Sequence, residues 1–478
     1  MRVRIGESNH PGYEGRDIYL LLRQLLAHMF LVGKTGMGKS VFLSNLMDSL
    51  VRLHEAYPDA APGFTYMDPH HDSTEELLGR MPRELWRKVH HIHFGPTDYP
   101  RAFNLIQPIS AEYRSDTVST FVAQLAEVYQ LKNAPRMTHF LRNFLLTLLE
   151  SGEPVTILNV VPLVTDEGYR ERVLARVKDP ALLHFWRREF APLDPAKVTD
   201  ALGPLWNKFG TLTTYPAVRN VVGQAESSFH PRRLMDAGEI LVVDLSAAGE
   251  DIIRMVGSAF ITQFHMAAKS RAALPKEQRR PHFLICDEIH LYATGAMSKV
   301  ESEDRKFGLG LVLATQYLDR IPRDVLAGVW GNTGTIVSLG VGPNDAKTLQ
   351  PEFAPEFSTE DLTHTPPLNA LVKTTVSGKT PENQRETAFS VRNYPLYDDK
   401  DQNAVAELRR NAAALVADCD LRDGRPRADV EREIAAIYAL GGWDVGHRSA
   451  AAPAGRRQHT VAPVDLAFTA PREDQPAG

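Results

Sequence analysis

Cysteine is nearly absent. Cys286 and Cys419 are the two in 478 residues, and their separation suits neither a disulfide framework nor a zinc-ligand pair, so a reducing compartment is expected. Long apolar runs are lacking too. The most apolar N-terminal stretch, Ile18 to Val32, is broken by Arg23, Gln24 and His28, and nowhere do about 18 apolar residues run together. The expectation is therefore no membrane-spanning helix and no secretory signal. Nor does charge of one sign dominate. The 54 Lys and Arg against 59 Asp and Glu leave a net charge of -5, so there is no global electrostatic case for nucleic acid, and any such contact must be local. The GTPase base-recognition signature NKxD is missing as well, the nearest match being NKFG at Asn207 to Gly210. No internal repeat is visible. What remains is an ordinary globular composition, 43% apolar and 24% charged, long enough for about two to four domains.

What is present starts with GKTGMGKS, the residues Gly33, Lys34, Thr35, Gly36, Met37, Gly38, Lys39 and Ser40. The apolar run Met29 to Val32 precedes it, and a helical pattern through Val41, Leu43, Leu46, Met47 and Leu50 follows. Strand, glycine loop and helix in that order form a phosphate-binding loop. Its glycines let backbone N–H groups converge on phosphates, Lys39 reaches the β/γ oxygens, and Ser40 ligands Mg²⁺. The phosphate sits on a helix N-terminus. A surface glycine turn is the competing reading.

Around that loop the pattern is of strands alternating with helices, which predicts a mostly parallel α/β sheet. The N-terminal 32 residues read as a hairpin leading into the loop, turning at Asn9 to Gly12. FTYMD (Phe64 to Asp68) and VHHIHF (Val89 to Phe94) read as strands. The histidines His70, His71, His90, His91 and His93, near Asp68 and Asp72, raise a metal site, but no tetrahedral spacing is present; strand-end polar residues are the plainer reading. From about 105 to 235 the period turns helical, with Val118, Phe121, Val122, Leu125, Val128 and Tyr129, then Met137, Phe140, Leu141, Phe144, Leu145, Leu148 and Leu149. Within it, His184, Phe185, Trp186, Arg187 and Arg188 suggest base stacking beside phosphate contacts. A helix with one core face explains them equally.

The sheet pattern returns at EILVVDLS (Glu239 to Ser246) and at PHFLICDEIH (Pro281 to His290), where a strand ends in Asp287 and Glu288. Downstream of a phosphate loop, that pair fits hydrolysis: one carboxylate holds Mg²⁺ and the other polarises the attacking water. A nucleotide kinase has no need of a separate Glu288 so placed. The strand GLGLVLATQ ends in Gln316, placed to contact a γ-phosphate or that water, or simply to bond at a strand end. Further strands are expected at Thr335 to Leu339 and Leu368 to Lys373. The expected organisation is 1–104 and 236–398 as the two parts of an α/β ATPase domain and 105–235 as an all-α insertion, with 399–446 as C-terminal helices and 447–478 as a disordered tail.

The ordered set HMFLVGKTGMGKS, MDPHHD, LVVDLS, HFLICDE, DRKFGLGLVLATQ and GNTGTIVSLGVGPNDA, with the helical insertion between, resembles the conjugative coupling-protein ATPases of type IV secretion, within the HerA and FtsK superfamily. The resemblance covers about residues 15 to 380. It implies a RecA-like core with an inserted all-α domain, ATP and Mg²⁺ as cofactors, a homohexameric ring, and ATP-driven translocation of single- or double-stranded DNA. It also implies a relaxase and secretion-channel proteins as partners, and a cytoplasmic location, peripheral to the inner membrane. By motif, Lys39 and Ser40 hold phosphate and metal, and Asp287 and Glu288 are the Mg²⁺ and catalytic carboxylates. Gln316 becomes the γ-phosphate sensor and Arg305 the arginine supplied in trans; a local pair of Arg305 with Glu301 or Asp304 is the alternative. Family members usually carry transmembrane helices before the motor, whereas 32 residues precede Gly33 here, so either the chain is a soluble relative or its anchor lies on another chain. Other readings stay open: a HerA-like translocase for DNA end processing or packaging, and a protein-secretion or assembly ATPase.

Overall fold

A computed structural model describes residues 1–129, 134–194, 202–203, 210, 212–292, 297, 303–376 and 385–440. The expected tail at 447–478 lies outside them. Eleven strands form one sheet: β1 (Arg2–Ser8), β2 (Asp17–Leu21), β3 (Met29–Val32), β4 (Gly63–Asp68), β5 (Val89–His93), β6 (Ile240–Asp244), β7 (His282–Cys286), β8 (Leu309–Thr315), β9 (Thr335–Ser338), β10 (Asn369–Val376) and β11 (Arg385–Arg392). Their spatial order is β2-β1-β11-β10-β9-β3-β8-β7-β4-β6-β5. From β9 to β5 every pairing is parallel, and from β9 outward to β2 every pairing is antiparallel. The sheet is thus mostly parallel at its centre, with an antiparallel wing.

Sequence explains the centre directly. MFLV, ILVVD and HFLIC have no polar face to give to water, so these strands are buried throughout. Alternate residues then feed two apolar cores. Met29 and Leu31 join Phe42, Leu43, Leu46 and Leu50 of helix α1 (Lys39–Ala56) on one face. Phe30 and Val32 face the other core, which holds Phe260 and Phe264 of the long helix Glu250–Lys269.

The described elements between β5 and β6 are all helical. Helices α2 (Arg114–Val128) and α3 (Pro135–Glu150) bury Val118, Phe121, Val122 and Leu125 against Phe140, Leu141, Phe144 and Leu148 at the expected spacing. Phe185 and Trp186 are buried in this core rather than free to stack on bases; Trp186 lies 5.4 Å from Phe144 and its indole N–H donates to Thr147 Oγ1 at 2.8 Å. Of that stretch, His184, Arg187 and Arg188 face solvent. Glu250–Lys269 (hereafter α4) follows β6. The last stretch is two helices, α5 (Gln402–Asp423) and α6 (Arg427–Leu440), interrupted at Gly424 to Pro426. They serve different cores. Leu415 and Cys419 of α5 belong to the core that holds α1, whereas Val430 and Ile434 of α6 belong to the core of the helical segment.

Candidate functional site

In a sheet of this kind ligands bind past the carboxyl ends of the strands. Here that edge gathers Gly33 after β3, Gln316 after β8, Asp287 and Glu288 after β7, Asp68 at the end of β4 and Asp244 at the end of β6. The strand order decides the geometry. Strand β8 lies between β3 and β7, so Gln316 stands between the glycine loop and the carboxylate pair.

The loop is shaped by its glycines and anchored by backbone bonds. Gly36 and Gly38 carry φ of 80° and 98°, and a Cβ on Gly38 would lie 2.9 Å from Leu368 Cδ2. The amide of Gly33 donates to Thr315 O, that of Lys34 to Gly340 O, and that of Leu368 to Met37 O. Gly38 caps α1, so the first turn of that helix, with Lys39 buried and Ser40 exposed, opens toward the loop.

A chain of side-chain bonds then closes the site. Thr35 Oγ1 donates to Gln316 Oε1 at 2.8 Å, and Gln316 Nε2 donates to Glu288 Oε1 at 2.7 Å. Lys39 Nζ donates to the same Glu288 oxygen at 2.6 Å and to Asp287 Oδ1. Burial works against the Lys39 ammonium, but the two carboxylates outweigh it and raise its pKa. Burial likewise opposes charge on Glu288. His290, Lys39 and Gln316 together prevail, and hold its carboxyl at about 2. Glu288 Oε2 is left buried without a hydrogen-bond partner among the described residues, His290 Nδ1 standing 3.3 Å away. The backbone of Glu288 is left-handed, φ 48° and ψ 54°, a conformation costing a non-glycine residue about 1–3 kcal/mol and characteristic of sites where aim matters more than ease of folding.

Neighbouring acids are tied down separately. Asp68 accepts from the amides of His70 and Thr74 at 2.8 and 2.9 Å, while burial, with Asp287 adding, pushes its carboxyl up. The histidines raised as a metal site go to different partners: His71 to Asp244 at 2.6 Å, His90 to Asp423 and Glu239, and His91 to Arg101 at 3.3 Å. Among the described residues no cluster of three or more metal-ligating side chains forms. His290 and Tyr292, whose hydroxyl donates to the Asp287 carbonyl, complete the site and went unread in the sequence. The DEIH run was the signal available for His290.

Arg305 is not brought to this site. It is exposed on the single turn Asp304–Phe307, which enters β8 at the sheet's opposite edge. The local pair with Asp304 does not form, because Asp304 is buried against His265. Glu301 lies outside the described residues.

No family model matches the sequence, and no curated protein matches it. Solved structures do match. The plasmid coupling protein TrwB in complex with ADP and Mg²⁺ superposes with a TM-score of 0.55 at 17% identity, over 84% of this chain and 92% of that one. The same protein with a non-hydrolysable ATP analogue gives 0.54 at 18%, over 84% and 92%. VirB4 of Thermoanaerobacter pseudethanolicus gives 0.53 at 12%, over 85% of this chain and 98% of its own. The chain therefore has the RecA-like P-loop ATPase fold that these proteins share.

Proposed function

We propose that this chain is an ATP hydrolase that forms a homohexameric ring and moves DNA, single- or double-stranded, in conjugative or mobile-element transfer. The observation that carries the hydrolytic part is Glu288. One of its oxygens is pinned by Lys39 and Gln316, and the other is buried and ionised at the mouth of a phosphate loop, with His290 Nδ1 3.3 Å away. In this reading Gly33 to Ser40 cradle the phosphates, with Lys39 neutralising the β/γ oxygens. Ser40 and Asp287 hold Mg²⁺, which supplies charge neutralisation at the transferring phosphoryl group. The local charge fits a divalent ion, since one ammonium faces two carboxylates.

Glu288 Oε2 takes the proton of a water whose oxygen attacks the γ-phosphorus, the bond to the β–γ bridging oxygen breaks, and ADP leaves with phosphate. Gln316 joins Thr35 of the loop to Glu288, so it senses the γ-phosphate and sets the base in one movement. Arg305 completes the site of a neighbouring subunit. The seven residues of β8 put about 23 Å between it and its own Gln316, farther than an arginine side chain reaches. An arginine supplied in trans contributes about 10³–10⁵-fold to such a reaction.

The resemblance extends the proposal to a relaxase and secretion-channel proteins as partners. Among the described residues no helix is long and apolar enough to cross a membrane, so attachment at the inner membrane would come through another segment or chain. The test is the ATPase rate with and without each form of DNA, together with the mass of the assembly. Stimulation by DNA in a six-subunit species is expected. Indifference to both DNA forms would overturn the DNA reading in favour of a polypeptide-moving ATPase.

A further inference from the structure

We propose that His265, Arg271 and Arg279 form a clamp that aims Arg305 at the neighbouring subunit, making them positioning residues for hydrolysis in trans. The inference rests on the reading of Arg305 just given. Its basis is how the turn Asp304–Phe307 is held. His265 of α4 brings Nδ1 to 2.9 and 2.8 Å from the two carboxylate oxygens of Asp304, which is wholly buried. Arg271 is also wholly buried, its Nη1 donating to Phe307 O at 3.2 Å and to Arg280 O at 2.8 Å, while its Nε donates to Asp236 Oδ1 at 2.9 Å. Arg279 Nη1 donates to Lys306 O at 2.6 Å, and its guanidinium sits 5.4 Å over the Phe307 ring. Asp304, Lys306 and Phe307 are therefore each gripped from outside the turn. Arg305, between them, is exposed and has no ion pair among the described residues.

Two of the groups that hold this turn, Asp304 and Arg271, are themselves wholly buried. Removing a carboxylate and a guanidinium from water is costly, and buried ionic groups are weak sources of net stability. Burial pushes the Asp304 carboxyl up to about 6 even with His265 opposing it. What the arrangement does secure is direction. Catalysis of phosphoryl transfer is mostly positioning and charge, and a displacement of about 1 Å in a remote group can lower the rate about 10²-fold. Because β8 runs from this turn to Gln316, the same strand that carries one subunit's sensor is braced by the clamp that presents its arginine.

Mixed rings separate this from a merely structural role. Asp304→Ala and His265→Phe should each lower kcat about 10²-fold, with nucleotide affinity and assembly mass unchanged. Asp304→Asn, which keeps an acceptor for the imidazole N–H, should stay within a few-fold of wild type. Each crippled variant should regain activity when mixed with Glu288→Gln and none when mixed with Arg305→Ala, since it lacks the same contribution that Arg305→Ala lacks. Arg279→Ala, at a half-exposed position, carries the same test if the buried variants do not fold. Recovery with Arg305→Ala, failure with both partners, or unchanged kcat would overturn the clamp. The reading of Arg305 fails separately, if Arg305→Ala is fully active or does not complement Glu288→Gln.

Discussion

Replacing Lys39 with alanine does more here than remove a phosphate ligand. Its ammonium bonds both Asp287 and Glu288, all three being buried. Without it two carboxylates share a buried site, and like charges so placed push one pKa strongly up. Removing one partner of a buried ion pair costs about 3–5 kcal/mol, because the remaining charge is left uncompensated. In the wild type Glu288 is depressed to about 2, so its contribution to stability is present above its ordinary value and is lost as pH falls through about 2. In Lys39→Ala the shift reverses: the deficit is full at neutral pH and shrinks as acid supplies the proton that replaces the ammonium. Lys39→Ala should therefore unfold earlier than wild type at pH 7 without nucleotide, and the gap should narrow toward acid pH. Adding Glu288→Gln to it should recover stability without hydrolysis, a coupling of about 0.5–3 kcal/mol between touching residues. Denaturant melts of the four proteins across pH measure this directly. Equal stability of Lys39→Ala and wild type at pH 7, or strictly additive losses, would refute the buried triad as the organiser of the site.

Other outcomes follow from the same geometry. Glu288→Gln keeps the shape and loses the base, so it should bind ATP normally and hydrolyse it about 10²–10⁴-fold more slowly in single turnovers; lost binding would make Glu288 structural. Because its carboxyl is held at about 2 in the nucleotide-free chain, no acid limb of kcat/KM near neutral pH should belong to Glu288, and a limb near pH 6 that vanishes in Glu288→Gln would contradict that. Phe144→Ala opens the core where Phe144 meets Phe140, Phe185, Trp186 and Phe190, and should cost about 3–5 kcal/mol in a thermal or denaturant melt. DNA affinity should fall steeply with salt as local Lys and Arg contacts release counterions, and salt-insensitive binding would argue for a protein substrate.

How far the residues could be read in advance depended on how local each signal was. The phosphate loop, the strand ending in Asp287 and Glu288, and the helices around Phe121 and Phe144 carry their patterns within a dozen residues, and the structure has these elements where the patterns put them. Strand order is not local. Nothing in GLGLVLATQ says that it lies between β3 and β7, and that placement is what brings Gln316 to both Thr35 and Glu288. Strand β11, RETAFSVR, is half-exposed and reads as polar, so the wing joining the N-terminal hairpin to the sheet went unseen. The histidines could be read only as alternatives, a metal site or, more plainly, strand-end polar residues. Strands β4 and β5 are close in sequence, but β6 separates them in space, so their histidines meet different acids. The buried arginines were illegible as well, since Arg271 looks like any helix-end basic residue until the turn it grips is known.

The central claim is met most directly by triplex displacement, in which a third strand bound to duplex DNA is released as a motor runs into it. The account predicts ATP-dependent displacement by the wild-type assembly, none with the non-hydrolysable analogue, and none by Glu288→Gln although that variant still binds nucleotide and DNA. Brisk ATP hydrolysis by wild type that neither responds to DNA nor displaces the third strand would contradict it.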